Sequence, residues 1–248
     1  MSINNPIHVL NKRVILYQAQ DGFRTSLDSV MLAAACPAQE GDSILDLGCG
    51  VGSAGICVLE RVKNTSLTGV DIQDDHIDIA KKNAEINNIT NRIVFTCADI
   101  RASNEFGPHN HVICNPPYKD AGGYVHSPSV SKARAMGHYD DAQNLQDWIT
   151  CAWNHIKGQG SLTLIHEAGR TDTILHALYS SKGGRRFGNV EIIPLFPKSE
   201  MPAKRVIVRA YKHKKSPASI LPGLIVHKDN GDYSEAAEQV LRNAHKLY

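Results

Sequence analysis

Asp46-Leu47-Gly48-Cys49-Gly50-Val51-Gly52 ends an apolar run, Ser43 to Leu47, and precedes a segment of helical period, Ala54 to Val62. Glycines at alternate positions let a backbone turn tightly and approach a ligand closely. The form D-x-G-x-G-x-G differs from the G-x-G-x-x-G of nicotinamide enzymes, and no G-K-[ST] follows it. Taken alone, the loop reads equally well as a tight strand-to-helix turn or as a ligand loop. Its flanks decide between them.

From residue 43 onward, β-branched apolar runs alternate with helical segments. The runs are Ser43 to Leu47, Ser66 to Ile72, Arg92 to Cys97, His111 to Cys114, Ser161 to His166, Val190 to Leu195 and Lys204 to Tyr211. The helical segments include Ala54 to Val62, Asp74 to Asn87 and Asn144 to Ile156. Strands separated by helices of this length pair in parallel through right-handed crossovers, which predicts a doubly wound α/β sheet. The last two runs are joined by Phe196-Pro-Lys-Ser-Glu-Met-Pro-Ala-Lys204, a proline-rich loop, so one strand of the sheet is expected to run backwards.

Residues 1–40 read as a short extension to a core at 41–248, with an extended piece at Val14 to Gln18 and a helix from Ser26 to Ala35. Ser216 to Gly223 reads as a loop, and Tyr233 to His245 as a final helix. Without a linker or repeat, a single domain over 1–248 is expected.

Acidic residues close three successive runs: Asp46, Asp71 in Val70-Asp71-Ile72, and Asp99 in Cys97-Ala98-Asp99-Ile100. Acids at the carboxyl ends of neighbouring strands face one crevice, where open α/β sheets bind ligands. Asp71, about 20 residues after the loop, suits the two hydroxyls of a ribose. It also suits the N-cap of the next helix. The fourth run ends in Asn115-Pro116-Pro117-Tyr118. The two prolines fix an extended turn and remove two donors, Asn115 adds a carbonyl acceptor and Tyr118 a flat ring. Together they can accept two hydrogen bonds from an amino group and stack on the plane behind it.

The series DLGCGVG, VDI, AD and NPPY, in this order, resembles the class I S-adenosylmethionine-dependent methyltransferases that modify a planar amino nitrogen. That branch includes adenine N6 enzymes and enzymes acting on a glutamine of peptide release factors. The resemblance implies a seven-stranded, mostly parallel Rossmann-like sheet and S-adenosyl-L-methionine as cofactor. It also implies contacts from Asp46, Gly48 and Gly50 to the methionine moiety, from Asp71 to the ribose, and from Asp99 and Ile100 to the adenine, with Cys49, Ile72 and Asn115 also at the cofactor. Asn115, Pro116, Pro117 and Tyr118 would form the catalytic corner that holds the target nitrogen.

The segment Phe23 to Ala35 further resembles bacterial tRNA adenine N6-methyltransferases acting beside the anticodon of valine tRNA, with Arg24 and Asp28 at that family's basic and acidic positions and Arg24 near the cofactor. Asp232 to Ala236 and Lys132-Ala133-Arg134 resemble the same family. Ser26-Leu27 stands where many relatives carry Gly-Thr, and Thr25 to Asp28 equally fits a helix-capping pattern. The resemblance implies an RNA substrate, with a tRNA as the leading acceptor. A release-factor glutamine or a ribosomal RNA base is the alternative.

With 27 Lys and Arg against 25 Asp and Glu, the chain is not a basic tail-driven nucleic-acid binder. Its carboxyl-terminal third nevertheless concentrates Lys182, Arg185, Arg186, Lys198, Lys204, Arg205, Arg209, Lys212, Lys214 and Lys215 around only Glu191 and Glu200. This is either a phosphate track or a solvated strand face. The six cysteines lack a C-x-x-C pair and read as buried thiols, and no histidine spacing supports a metal site. No apolar run is long enough for a membrane span, and the amino terminus lacks the pattern of a secretory signal. A cytoplasmic protein, as a monomer or weak homodimer, is expected.

Overall fold

The computed structural model describes residues 5–19, 25–101, 106–117, 141–180 and 187–248, with the helix backbone alone over 141–144. It opens with an antiparallel hairpin, β1 (Ile7–Val9) and β2 (Val14–Leu16). Helix α1 (Leu27–Ala35) follows, capped by Ser26, whose side chain accepts from the Asp28 N–H. The alternating series then runs β3 (Ser43–Leu47), α2 (Ser53–Arg61), β4 (Ser66–Asp71), α3 (Asp74–Ile86), β5 (Ile93–Cys97) and β6 (His109–Cys114). After it come α4 (Asp141–His155), β7 (Ile156–Glu167), α5 (Thr171–Tyr179), β8 (Phe187–Phe196) and β9 (Arg205–Lys212).

The long strands lie in the order β5-β4-β3-β6-β7-β9-β8. β3 pairs in parallel with both β4 and β6, so the winding reverses beside it. A crevice at the carboxyl ends of such strands is dictated by topology, because the connections leave in opposite directions. β9 is antiparallel to both β7 and β8, the reversed strand that the proline-rich loop predicts.

Successive side chains of each central strand enter opposite layers. Ile44, Ile113, Ile165 and Ile207 pack against the buried residues of α1, α2 and α3. Their neighbours Leu45, Val112, Cys114, Leu164, Val206 and Val208 pack against α4 and α5. Burial on both faces explains why the strands read as continuous apolar runs rather than alternating ones.

Three features differ from the sequence expectation. The segment Ser216 to Gly223 is not only a loop: β10 (Ser219–Ile220) and then β11 (Leu224–Ile225) run parallel to β8 and extend its edge. Helix α5 is not predicted by the run pattern, because its buried stripe of Ile174, Ala177 and Leu178 spans barely one turn. The last helix, α6 (Glu235–Leu241), is shorter than expected: the Ser234 side chain accepts from the Ala237 N–H and starts it two residues later, and it ends before Ala244, which takes a left-handed φ of +56°. Among the described residues, no helix is long and apolar enough to cross a membrane.

Among the described residues, the basic side chains of β9 are directed to different ends of the sheet. β9 sets Arg205 opposite Glu167 at the carboxyl end of β7 and Lys212 opposite Phe187 at the other end of the sheet. Lys212 is spent on the Trp153 and Ile156 carbonyls, at 2.7 and 2.8 Å. Arg209 is buried, paired with Glu191 across the strands and donating to the Ala35 carbonyl at 2.9 Å. Lys182, Arg185 and Arg186 lie outside the described residues. Removing one member of a buried pair strands the other charge, so Arg209→Ala is expected to lower stability by about 3 kcal/mol in urea unfolding. An unchanged midpoint would show that Glu191 needs no partner.

Candidate active site

The glycine loop is tied to the sheet at two points and closed by one bond of its own. The Cys49 N–H donates to the Val70 carbonyl at 3.0 Å, the Gly52 N–H to the Cys49 carbonyl at 2.8 Å, and the Gly50 N–H to Asp71 Oδ2 at 2.8 Å. Gly48 and Gly50 take φ of +64° and +53°, in the left-handed region that favours glycine. A Cβ on Gly48 would overlap the Trp148 ring, whereas one on Gly50 would meet no protein atom. Gly50 therefore borders open space.

That space is a cavity of about 250 Å³ over the carboxyl ends of β3 to β6. Its wall takes Asp46, Gly48, Cys49 and Gly50 from the first loop, and Asp71 with Ile72 from the end of β4. Asp99 and Ile100 come from the chain after β5, and Asn115 with Pro117 from the end of β6. Pro116 stands in the same turn but does not line the cavity. Tyr118, Arg24 and the stretch Lys132-Ala133-Arg134 lie outside the described residues. Asp28 is directed to Arg205, with Oδ2 accepting from Nε at 3.1 Å.

Several lining residues escape the sequence reading. Thr25 and Ser29 come from the start of α1, Ser53 from the first turn of α2, Gln73 and His76 from the start of α3, and Trp148 from α4. The Thr25 and Ser53 hydroxyls hydrogen-bond, which brings the amino-terminal extension into the cavity wall. Only Ser53 has a local signal, its place directly after the glycine loop. Trp148 reaches the site by packing from a helix far along the chain, which no spacing encodes.

The carboxylates differ in environment. Burial, with the nearby charge of Asp71, pushes Asp46 up to about 7, although the Gly55 N–H donates to its Oδ2 at 3.0 Å and opposes the shift. Asp99 is held below the usual carboxylate range, mainly by its hydrogen bond from Arg101. Ile72 is 58% exposed at the cavity rim, an apolar surface suited to a flat ring.

The family model described as methyltransferase small domain matches residues 24–178. The chain belongs to this family. A tRNA1(Val) (adenine(37)-N6)-methyltransferase from Shewanella sediminis is 25% identical over 150 residues, covering 58% of this chain and 59% of that protein. One of the same description from Vibrio parahaemolyticus is 22% identical over 239 residues, covering 96% and 93%. The crystal structure of a predicted O-methyltransferase from Agrobacterium tumefaciens superposes with a TM-score of 0.71 at 24% identity, covering 89% of this chain and 98% of that one. That likeness shows the Rossmann-like fold.

S-adenosylmethionine is the cofactor of this family member. The residues present fit it: a carboxylate at the end of β4 for a ribose, an exposed Ile72 for a purine, and open space over Gly50. The buried Asp46 carboxyl fits a cationic methionine end, which would favour its ionised form.

The shift of Asp46 sets a pH dependence. The folded state holds this proton more tightly than the unfolded chain, so it contributes stability that is complete below about pH 4 and lost as pH rises through about 7. Free protein should lose up to about 1.4 kcal/mol per pH unit in that window, and Asp46→Asn should remove the slope. Urea midpoints measured from pH 4 to 8 check this; parallel curves for the two proteins would contradict it.

Proposed function

We propose that the protein transfers a methyl group from S-adenosylmethionine to the exocyclic N6 amino group of an adenosine in RNA, with a tRNA near its anticodon as acceptor, in the cytoplasm. The observation that carries this reading is that Asn115 and Pro117 open onto the same cavity as Gly50 and Asp71. The names of the two tRNA-modifying relatives support the choice of acceptor.

The cofactor supplies an electrophilic methyl group on a sulfonium. Asp71 would hold the ribose hydroxyls, Asp46, Gly48, Cys49 and Gly50 the methionine end, and Ile72, Asp99 and Ile100 the adenine, all from the wall of one cavity; Arg24, the further cofactor contact proposed, lies outside the described residues. An adenine lone pair is delocalised into its ring, so the chain must align and localise it. Asn115, which lines the cavity, would accept one amino proton at Oδ1, and the carbonyl of Pro116, the next residue of that turn, would accept the other as the acceptor enters, which would favour a pyramidal nitrogen and stabilise the developing positive charge. Pro117 keeps the turn rigid, and Tyr118 stacks on the target base once it leaves its own stack. Such positioning is worth roughly 7 to 11 kcal/mol of barrier. No strong base is needed, because the methylated nitrogen loses its proton readily.

If Asn115 acts on the transition state, Asn115→Ala should lower kcat about 100-fold or more while S-adenosylhomocysteine binds as before. Equal losses in turnover and binding would remove this role. The acceptor is tested with labelled S-adenosylmethionine offered separately to total tRNA, ribosomal RNA and release factor. Label in N6-methyladenosine from tRNA is expected; label only in the release factor would overturn the reading.

A further inference from the structure

We infer that Asn83 is a positioning residue for the cofactor, joining the amino-terminal strand to the glycine loop through one buried side chain. The inference rests on the assignment of the cavity over Gly50 to S-adenosylmethionine.

Asn83 lies on α3 and is fully buried. Its Oδ1 accepts from the Tyr17 N–H at 2.7 Å, and its Nδ2 donates to the Tyr17 carbonyl at 3.1 Å and the Val51 carbonyl at 2.9 Å. Both amide protons are thereby used. One helical turn later, Asn87 forms the same amide-to-peptide pair with Ile15: its Oδ1 accepts at 2.9 Å and its Nδ2 donates at 2.6 Å. The spacing works because four residues of helix rise about 6 Å and two residues of strand about 6.6 Å. Two asparagines on a helix thus stand in for a neighbouring strand and satisfy the free edge of the chain at Ile15 and Tyr17.

Only Asn83 goes further, to Val51. That carbonyl sits between Gly50 and Gly52, and its direction sets the Val51–Gly52 peptide plane from which α2 starts. The loop's N–H groups at Cys49, Gly50 and Gly52 are held by Val70, Asp71 and the loop's own turn, so Asn83 supplies the restraint on the carbonyl side. The Val51 side chain is enclosed by Ala19, Ile79 and Tyr17. The amino-terminal strand is therefore part of the loop's support, although it lies on no motif.

Asn83→Ala and Asn87→Ala separate this role from plain stability, since both release the strand but only the first releases Val51. In calorimetric titration of the full chain with S-adenosylhomocysteine, Asn83→Ala should weaken binding about tenfold or more, and Asn87→Ala about twofold or less. Asn83→Leu keeps the buried volume and has no donor for Val51, so it should show the same loss and serves where the alanine variant fails to fold. Amide exchange at Gly50 and Gly52, followed without ligand, should accelerate in Asn83→Leu and not in Asn87→Ala. Equal weakening by both asparagine-to-alanine changes, or wild-type affinity in the two Asn83 variants, would overturn the inference. Failure of the wild-type chain to bind S-adenosylhomocysteine would instead overturn the cofactor assignment on which it rests.

Discussion

The Asp71 carboxylate accepts the Gly50 N–H at 2.8 Å and so ties the turn after β3 to the end of β4. Its other oxygen accepts the Gln73 N–H at 2.9 Å, which fixes the start of α3. One side chain thus sets the distance between the glycine loop and the second helix, and the cavity is what remains between them. A carboxylate satisfied by two backbone donors is rigid, yet keeps lone pairs for a ligand's hydroxyl groups. The Asn83 clamp on Val51 completes the restraint from the opposite side of the loop. A loop held at both its N–H and carbonyl groups is in place before any ligand arrives, which reduces what binding must spend on ordering it.

The central series β3-α2-β4-α3-β5-β6 is legible in sequence because burial on both sheet faces writes each strand as an apolar run and topology leaves an acid or an Asn-Pro-Pro turn at its exit. The reversed β9 is legible through the prolines before it. The short strands β10 and β11 are not, since two-residue pairing along an edge leaves no pattern. Gly48, Asp71 and Asn115 are visible as motif positions, but Trp148 is not, because only tertiary packing brings a side chain of α4 over Gly48. The Asn83 clamp is similarly silent: an asparagine inside a helix looks like a weak helix former until its backbone partners are seen.

Charge also needs the structure to be read. The near-neutral sum hides local separation, and among the described residues Arg209 and Lys212 are held by protein groups. Arg209 is structural, and Lys212 closes the end of α4. Arg205 and Arg170 stand near His166 at the cavity end of β7, where burial and these two cations push that imidazole down to about 4. A cationic ligand for the acidic crevice and a polyanionic acceptor approaching from the β7 side are compatible with this division.

In the proposed reaction, cofactor and amino acceptor meet in one cavity between the ends of β3, β4 and β6. A bisubstrate compound, in which adenosine is joined through N6 to the sulfonium position of the cofactor skeleton, tests it most directly by calorimetric titration. One bound molecule per chain, displacement by S-adenosylhomocysteine, and weaker binding in both Asp71→Ala and Asn115→Ala are expected. Binding that Asn115→Ala leaves untouched would contradict it, because the acceptor half would then lie outside the Asn-Pro-Pro turn.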